Sequence, residues 1–224
     1  MLELYGHLFS SYTWKALIAL YANATEFAFR EIGPGCDDAN ALVHAAHPAG
    51  KFPVLRDGAA TVIEATAIIE YLAVHHPGPA PLIPADPAAA AEARMLDRVF
   101  DNYLESNFQR IVGAYLSNTA VGDTPSVGEP DMAEVEAGQA GLLRAYGWLE
   151  HWLAEHRLPP HVSLVTCSAA PALFYADWCL PIPRDCPRLT ALRAELLALP
   201  PVARCVDDAR PWRPYFPPGA PDCD

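Results

Sequence analysis

The stretch Gly50-Lys51-Phe52-Pro53-Val54-Leu55-Arg56-Asp57-Gly58, followed by Thr61-Val62-Ile63-Glu64-Ala65-Thr66-Ala67-Ile68-Ile69-Glu70-Tyr71-Leu72, constrains the chain most. Phe52, Val54 and Leu55 are strand-prone, and Asp57-Gly58 is a strong hairpin signal. The return strand runs over residues 60–63, and Glu64 opens a helical pattern with Ala67, Ile68, Tyr71 and Leu72 on its apolar stripe. Pro53 cannot donate to a sheet ladder, so it belongs at an edge, a bulge or a strand start. A cis bond before it would turn the Phe52 main chain outward, where it could pair with an extended peptide. The helix start at residues 64–66 offers open N–H groups to a carboxylate. Together these features suggest a peptide-like, anionic ligand.

The 224 residues suffice for one large domain or two small ones, and 52% hydrophobic content supports a real core. A net charge of −12, with Lys15 and Lys51 the only lysines, argues against nucleic acid. The N-terminus has no basic, cleavable leader pattern, and no apolar run is long enough for a bilayer. A cytoplasmic location is therefore expected. The six cysteines form no C-x-x-C pair and are expected as free thiols. The eight histidines show no zinc-type spacing, so no metal site is expected.

Taken in order, residues 2–8 alternate as a strand, residues 12–21 as a helix and residues 27–32 as a second strand. This is a βαβ unit, for which a parallel pairing follows. A short helix over residues 38–46 precedes the hairpin and helix described above. The fold expected is thus an α/β thioredoxin-like domain, β-α-β-α-β-β-α with a four-stranded mixed sheet, over residues 1–76. Prolines 77, 79, 81, 84 and 87 mark a linker over residues 77–87. Residues 88–224 read as all-helical: a long helix over 88–116, a loop over 122–130, then helices over 132–155, 164–178, 189–199 and 201–209. A proline-rich, aromatic tail follows from residue 210.

This architecture resembles the cytosolic glutathione transferase superfamily. The resemblance is carried by residues 50–58 and 64–72, and by Ser10-Ser11-Tyr12-Thr13-Trp14-Lys15, which is similar to the Ser-Ser-Cys-x-Trp-Arg motif of the zeta class. Residues 163–171 also resemble the family's Ser/Thr-x-x-Asp helix start, with Thr166 in place of the acid. The resemblance implies glutathione as co-substrate, a small hydrophobic electrophile, and a homodimer. Ser10, with Ser11 beside it, would donate a hydrogen bond to the glutathione sulfur; either could instead simply cap the helix. Tyr12 is a third candidate hydroxyl. Phe52 and Pro53 would clamp the cysteinyl part, Glu64, Ala65 and Thr66 the γ-glutamyl end, and Lys51 the glycine carboxylate. Ala65 stands where the family has serine, so one hydroxyl is lost. Asp101 could reach a partner subunit's ligand. The electrophile pocket would draw on Phe9, Phe108, Tyr115, Trp212 and Tyr215; Phe174 and Trp178 are further candidates, and most of these aromatics are expected to be core.

The reading that results is a glutathione transferase activating the thiol through a serine. Its rivals are a non-catalytic glutathione-binding or protein-interaction module on the same fold, and a zeta-like maleylacetoacetate isomerase, which lacks its motif cysteine here.

Overall fold

The computed structural model describes residues 1–116, 129–222 and 224. Most of the expected 122–130 loop, and Cys223, lie outside the described residues. The first half forms β1 (Leu2–Gly6), α1 (Ser11–Ala22), β2 (Ala28–Glu31), α2 (Asp37–Ala46), β3 (Val54–Asp57), β4 (Ala60–Ile63) and α3 (Ala65–His75). The sheet order is β2-β1-β3-β4, with β1 and β2 parallel and the other pairs antiparallel. This is a thioredoxin-like domain, in the expected element order. Gly58 takes φ +57° at the β3–β4 turn, the left-handed conformation that Asp-Gly hairpins use.

The period-2 pattern of the strands sorts side chains onto two faces. Leu2, Leu4 and Leu55 face α1 and α3 within the main core. Tyr5 and Val54 face the other way and meet Val43 of α2 in a smaller cluster that Phe52 joins. Tyr5 is thus structural. Gly6 ends β1 against α1, where a Cβ would lie 2.6 Å from Thr13 Oγ1. That close approach places the chain's turn into α1 directly beside the sheet.

The second half is helical: α4 (Pro87–Val99), α5 (Ser106–Leu116), α6 (Met132–Glu155), α7 (Leu164–Cys179), α8 (Pro187–Leu197) and α9 (Pro200–Ala209), then a 3-10 turn over Arg210–Tyr215. No helix among the described residues is long and apolar enough to cross a membrane. The single helix expected over 88–116 is divided by a π-helical turn, Phe100–Glu105. The wider turn shifts the phase of the side chains that follow, while keeping Asp101 and Glu105 both buried. α7 is the central helix, buried along nearly its whole length. Its start is closed by Thr166, whose hydroxyl accepts from Ser163 N–H at 3.2 Å and donates to the His161 carbonyl at 3.4 Å.

α1 packs against α3, α7 and α9, so it is covered on all sides. The apolar run Trp14 to Leu20 accounts for this, with one exception: Lys15 is fully buried within it. Its ammonium lies 2.8 Å from Asp97 of α4 and 2.6 Å from Asp101, and donates to Thr66 of α3 at 3.1 Å. Ser168 of α7 also donates to Asp97. Burial would raise the Asp97 carboxyl, but the Lys15 charge and the bonds from Lys15, Ser168 and Arg98 outweigh it and hold Asp97 below the usual range. Lys15→Met removes the one buried cation of both carboxylates and leaves them the half-exposed Arg98, and we expect a loss of about 3–5 kcal/mol. Chemical unfolding of K15M beside K15M/D97N checks this. The double variant recovers part of the loss, and an unchanged single variant would show that the cluster contributes nothing.

Candidate functional site

The turn from β1 into α1 holds the two serines. Ser10 is the N-cap: its Oγ accepts from Thr13 N–H at 3.3 Å. Trp14 anchors the same turn by donating its indole N–H to the Leu8 carbonyl at 2.7 Å. Both Ser10 and Ser11 line a cleft of about 370 Å³ between the halves of the chain, together with Phe9, Phe52, Phe108 and Tyr215. Its remaining wall includes Gln109, Val112, Tyr175 and Phe216. The cleft therefore has two hydroxyls at its base and an apolar, aromatic wall.

Six of the residues singled out in the sequence meet there, and others do not. Trp212 sits edge-on to His7, with ring centroids 4.4 Å apart, outside the cleft lining. Tyr115 is half-buried on α5 and also outside the lining, because Val112 and Leu116 take the inward positions of that helix. Tyr12 does not line it either; burial and the nearby carboxylates of Glu105 and Asp101 push its hydroxyl above the usual tyrosine range. Phe174 and Trp178, also candidates for the pocket, are core instead. Asp101 is committed to Lys15 and Arg98 within its own chain, so its carboxylate does not reach outward to a partner subunit.

The Phe52–Pro53 peptide is cis. The β3 ladder begins only at Val54, which leaves the Phe52 main chain outside the sheet's pairing. Lys51 is exposed beside it. Glu64 is the N-cap of α3 and adopts φ 68°, a left-handed conformation that costs a non-glycine residue energy. The Glu64 side chain makes no cap bond, so it does not itself occupy the first N–H groups of this helix. Ala65 is buried. The Thr66 hydroxyl donates to Asp97 at 3.0 Å and so belongs to the buried cluster rather than to an open ligand position.

Two supporting residues escaped the sequence reading. His47 Nδ1 accepts from Ala49 N–H at 3.0 Å, which leaves Nε2–H to donate to Glu64, 3.2 Å away. This fixes one Glu64 oxygen at the strained cap. Glu105 is fully buried behind Ser11, with its Oε2 2.9 Å from Ser11 Oγ. Burial, opposed by the Ser11 bond and assisted by the Asp101 charge, pushes its carboxyl up to about 8. A signal existed in the sequence: Asp97, Asp101 and Glu105 recur every fourth residue, a line of acids on one helix face.

The raised Glu105 carboxyl has a consequence for stability. Unfolded, it ionises near 4.5; folded, it keeps its proton to about 8. The folded state binds the extra proton in that window, so this group lowers stability as pH rises through it, by up to about 1.4 kcal/mol per pH unit. Glu105→Gln removes the dependence. Urea unfolding at steps between pH 5 and pH 8 should show the variant gaining on the wild type as pH rises; parallel curves would contradict the assignment.

Residues 4–80 match the family model described as glutathione S-transferase, N-terminal domain. A probable maleylacetoacetate isomerase from Caenorhabditis elegans is 32% identical over 93 residues; the match covers 42% of this chain and 43% of that protein's length. Among solved structures, a glutathione S-transferase from Rhodospirillum rubrum superposes with a TM-score of 0.74 at 25% identity, over 92% of this chain and 91% of that one. A maleyl pyruvate isomerase, described as a bacterial glutathione S-transferase of the zeta class, superposes with a TM-score of 0.72 at 21% identity, over 99% of this chain and 100% of that one. Residues 4–80 thus carry the sequence pattern of a glutathione S-transferase N-terminal domain, and the chain as a whole shares the fold of solved glutathione S-transferases.

Proposed function

We propose that the protein binds glutathione and activates its thiol for attack on a small hydrophobic electrophile. The observation that carries this reading is the convergence of Ser10, Ser11 and Phe52 on one apolar cleft. Ser10 Oγ already accepts from Thr13 N–H, so its own O–H is left to donate into the cleft. A thiolate there would also feel the positive end of α1, which favours the ionised sulfur. Phe52 would pair its free main-chain groups with the cysteinyl unit. The first N–H groups of α3 would hold the γ-glutamyl carboxylate, with the second Glu64 oxygen left for the ammonium. Lys51 would face the glycine carboxylate. Phe9, Phe108, Tyr175 and Phe216 would receive the electrophile. The unpaired thiols of Cys36, Cys167, Cys179, Cys186 and Cys205 suit work in the reducing cytoplasm.

The nematode relative favours a second reading within the same chemistry. Reversible addition of the thiolate to a conjugated double bond, rotation, and expulsion of the thiolate would isomerise the substrate and regenerate glutathione. A binding-only module is favoured instead by Ala65, which offers no hydroxyl, and by the engagement of Thr66 with Asp97.

Calorimetric titration with glutathione, together with turnover of an aryl halide, separates these readings. Ser10→Ala removes a hydrogen bond to a charged sulfur, worth about 1.5–3 kcal/mol. It should therefore raise the pKa of bound glutathione by roughly 1–2 units, read from thiolate absorbance. Binding without turnover would favour the module, and no binding would remove the proposal.

We infer also that two copies associate. Tyr103 and Trp148 are 57% and 45% exposed and flank a groove of about 400 Å³ between the π-helical turn and α6. An apolar rim of this kind suits a self-complementary contact. Sedimentation should show a dimer that Trp148→Glu converts to monomer; a monomeric wild type at micromolar concentration would contradict it.

A further inference from the structure

The two serines at the base of the cleft are held differently, and the difference has chemical content. Ser10 receives a main-chain N–H, a partner that cannot change with pH. Ser11 instead faces a side chain that can exist in two forms. Its Oγ is 2.9 Å from Glu105 Oε2, and both residues are buried, although Ser11 still lines the cleft. Glu105 Oε1 makes no well-formed hydrogen bond. An ionised carboxylate there would leave one oxygen without a donor in a dry interior, which is costly. The neutral acid keeps the Oε2–Ser11 contact and carries no charge into that interior, so the unmatched Oε1 costs less.

We propose that Glu105 is a positioning residue that sets the direction of the Ser11 hydroxyl. As a neutral acid it donates to Ser11 Oγ and leaves the Ser11 O–H to donate to a thiolate in the cleft; as a carboxylate it accepts that O–H and turns it away. The inference rests on the glutathione reading above, since it needs an anionic sulfur for the hydroxyl to meet. No covalent step is involved, and the proton stays on Glu105 throughout the cycle.

The surroundings agree. Asp101 on the same π-helical turn raises the Glu105 carboxyl, and Lys15 of α1 lowers it, with a smaller contribution from the Gln109 amide of α5. The Lys15 ammonium is already divided between Asp97 and Asp101, so it is no dedicated counter-ion for Glu105. Tyr12 of α1 and Tyr175 of α7 also face the carboxyl, and both phenols are held protonated by burial, with its charge adding to the effect. Arg98 faces Asp101 and Tyr12 rather than Glu105. Among the described residues, no dedicated positive charge in this shell would cancel a Glu105 carboxylate. The switch should act near the pH at which this carboxyl ionises, about 8.

The test is the pH profile of kcat/KM for glutathione conjugation with an aryl halide, in the full-length wild type, Glu105→Gln, Glu105→Leu and Ser11→Ala. In the wild type kcat/KM should rise as the thiol ionises, then fall about tenfold by one pH unit above the Glu105 transition. Glu105→Gln and Glu105→Leu, which cannot ionise, should both lose the falling limb and exceed the wild type about tenfold at that pH. Ser11→Ala should lose the falling limb as well, on a lower plateau. A falling limb that persists in both Glu105 variants overturns the proposal. Glu105→Leu keeps the test open should the amide variant fold poorly. A second readout needs no ligand: the infrared band of a neutral carboxyl should be present near pH 6.5, disappear through the Glu105 transition and be absent from Glu105→Gln, and its absence from the wild type overturns the proposal too. Failure of the wild type to bind glutathione in calorimetry would instead overturn the underlying reading. That result is distinct from normal binding with indifferent Glu105 variants.

Discussion

A single ammonium ion joins the two halves of this molecule. Lys15 rises from α1, inside the sheet-bearing half, and ends between two carboxylates of the helical half. Thr66 of α3 accepts from the ammonium and Ser168 of α7 donates to Asp97, so α1, α3, α4 and α7 meet around one ion pair. Burying such a group costs several kcal/mol in solvation, returned only if its partners hold good geometry. An apolar contact tolerates sliding; this arrangement does not. It therefore specifies how α1 sits against α4, and the cleft opens at the N-terminal end of α1.

That specification reaches the site through short covalent steps. Lys15 lies one turn beyond Ser11, and Trp14 between them is locked to the Leu8 carbonyl. The direction of the Ser10 and Ser11 side chains thus follows from the depth at which α1 is seated. On the opposite wall, the same seating presents Phe108 and Gln109 to the cleft one turn after Glu105. The π-helical turn has a purpose in this geometry. Its extra residue per turn lets Asp101 reach Lys15 and Glu105 reach Ser11 from one stretch of backbone.

Local patterns made the sheet domain legible. Alternation, the Asp57-Gly58 turn and the position of Pro53 each act within a few residues, and β4 and α6 fall within the bounds that the sequence suggests. The serines were legible because a cap residue announces itself before a helix. What remained hidden depends on contacts across 82 to 94 residues, as between Lys15 and Asp97 or Ser11 and Glu105. Periodicity carries no information about such pairs. The one clue was chemical, a lysine set within an apolar helix and three acids spaced by four. Tyr115 and Trp212 went astray for a related reason: aromatic character suggests a pocket, but only the seating of a helix decides which neighbour faces it.

The outer side of the cleft is built late in the chain. Tyr215, Phe216 and Pro217 form part of its wall, with Phe216 wedged against Phe9, Tyr175 and Trp178 and the segment tied back through Arg210 and Arg213 to Asp224. The serine turn at the base of the cleft and the aromatic wall above it are thus encoded about 200 residues apart. Changes in those few aromatics can redraw the outline of the cavity while the hydroxyl-bearing turn stays intact, so the two ends of one cleft can drift independently.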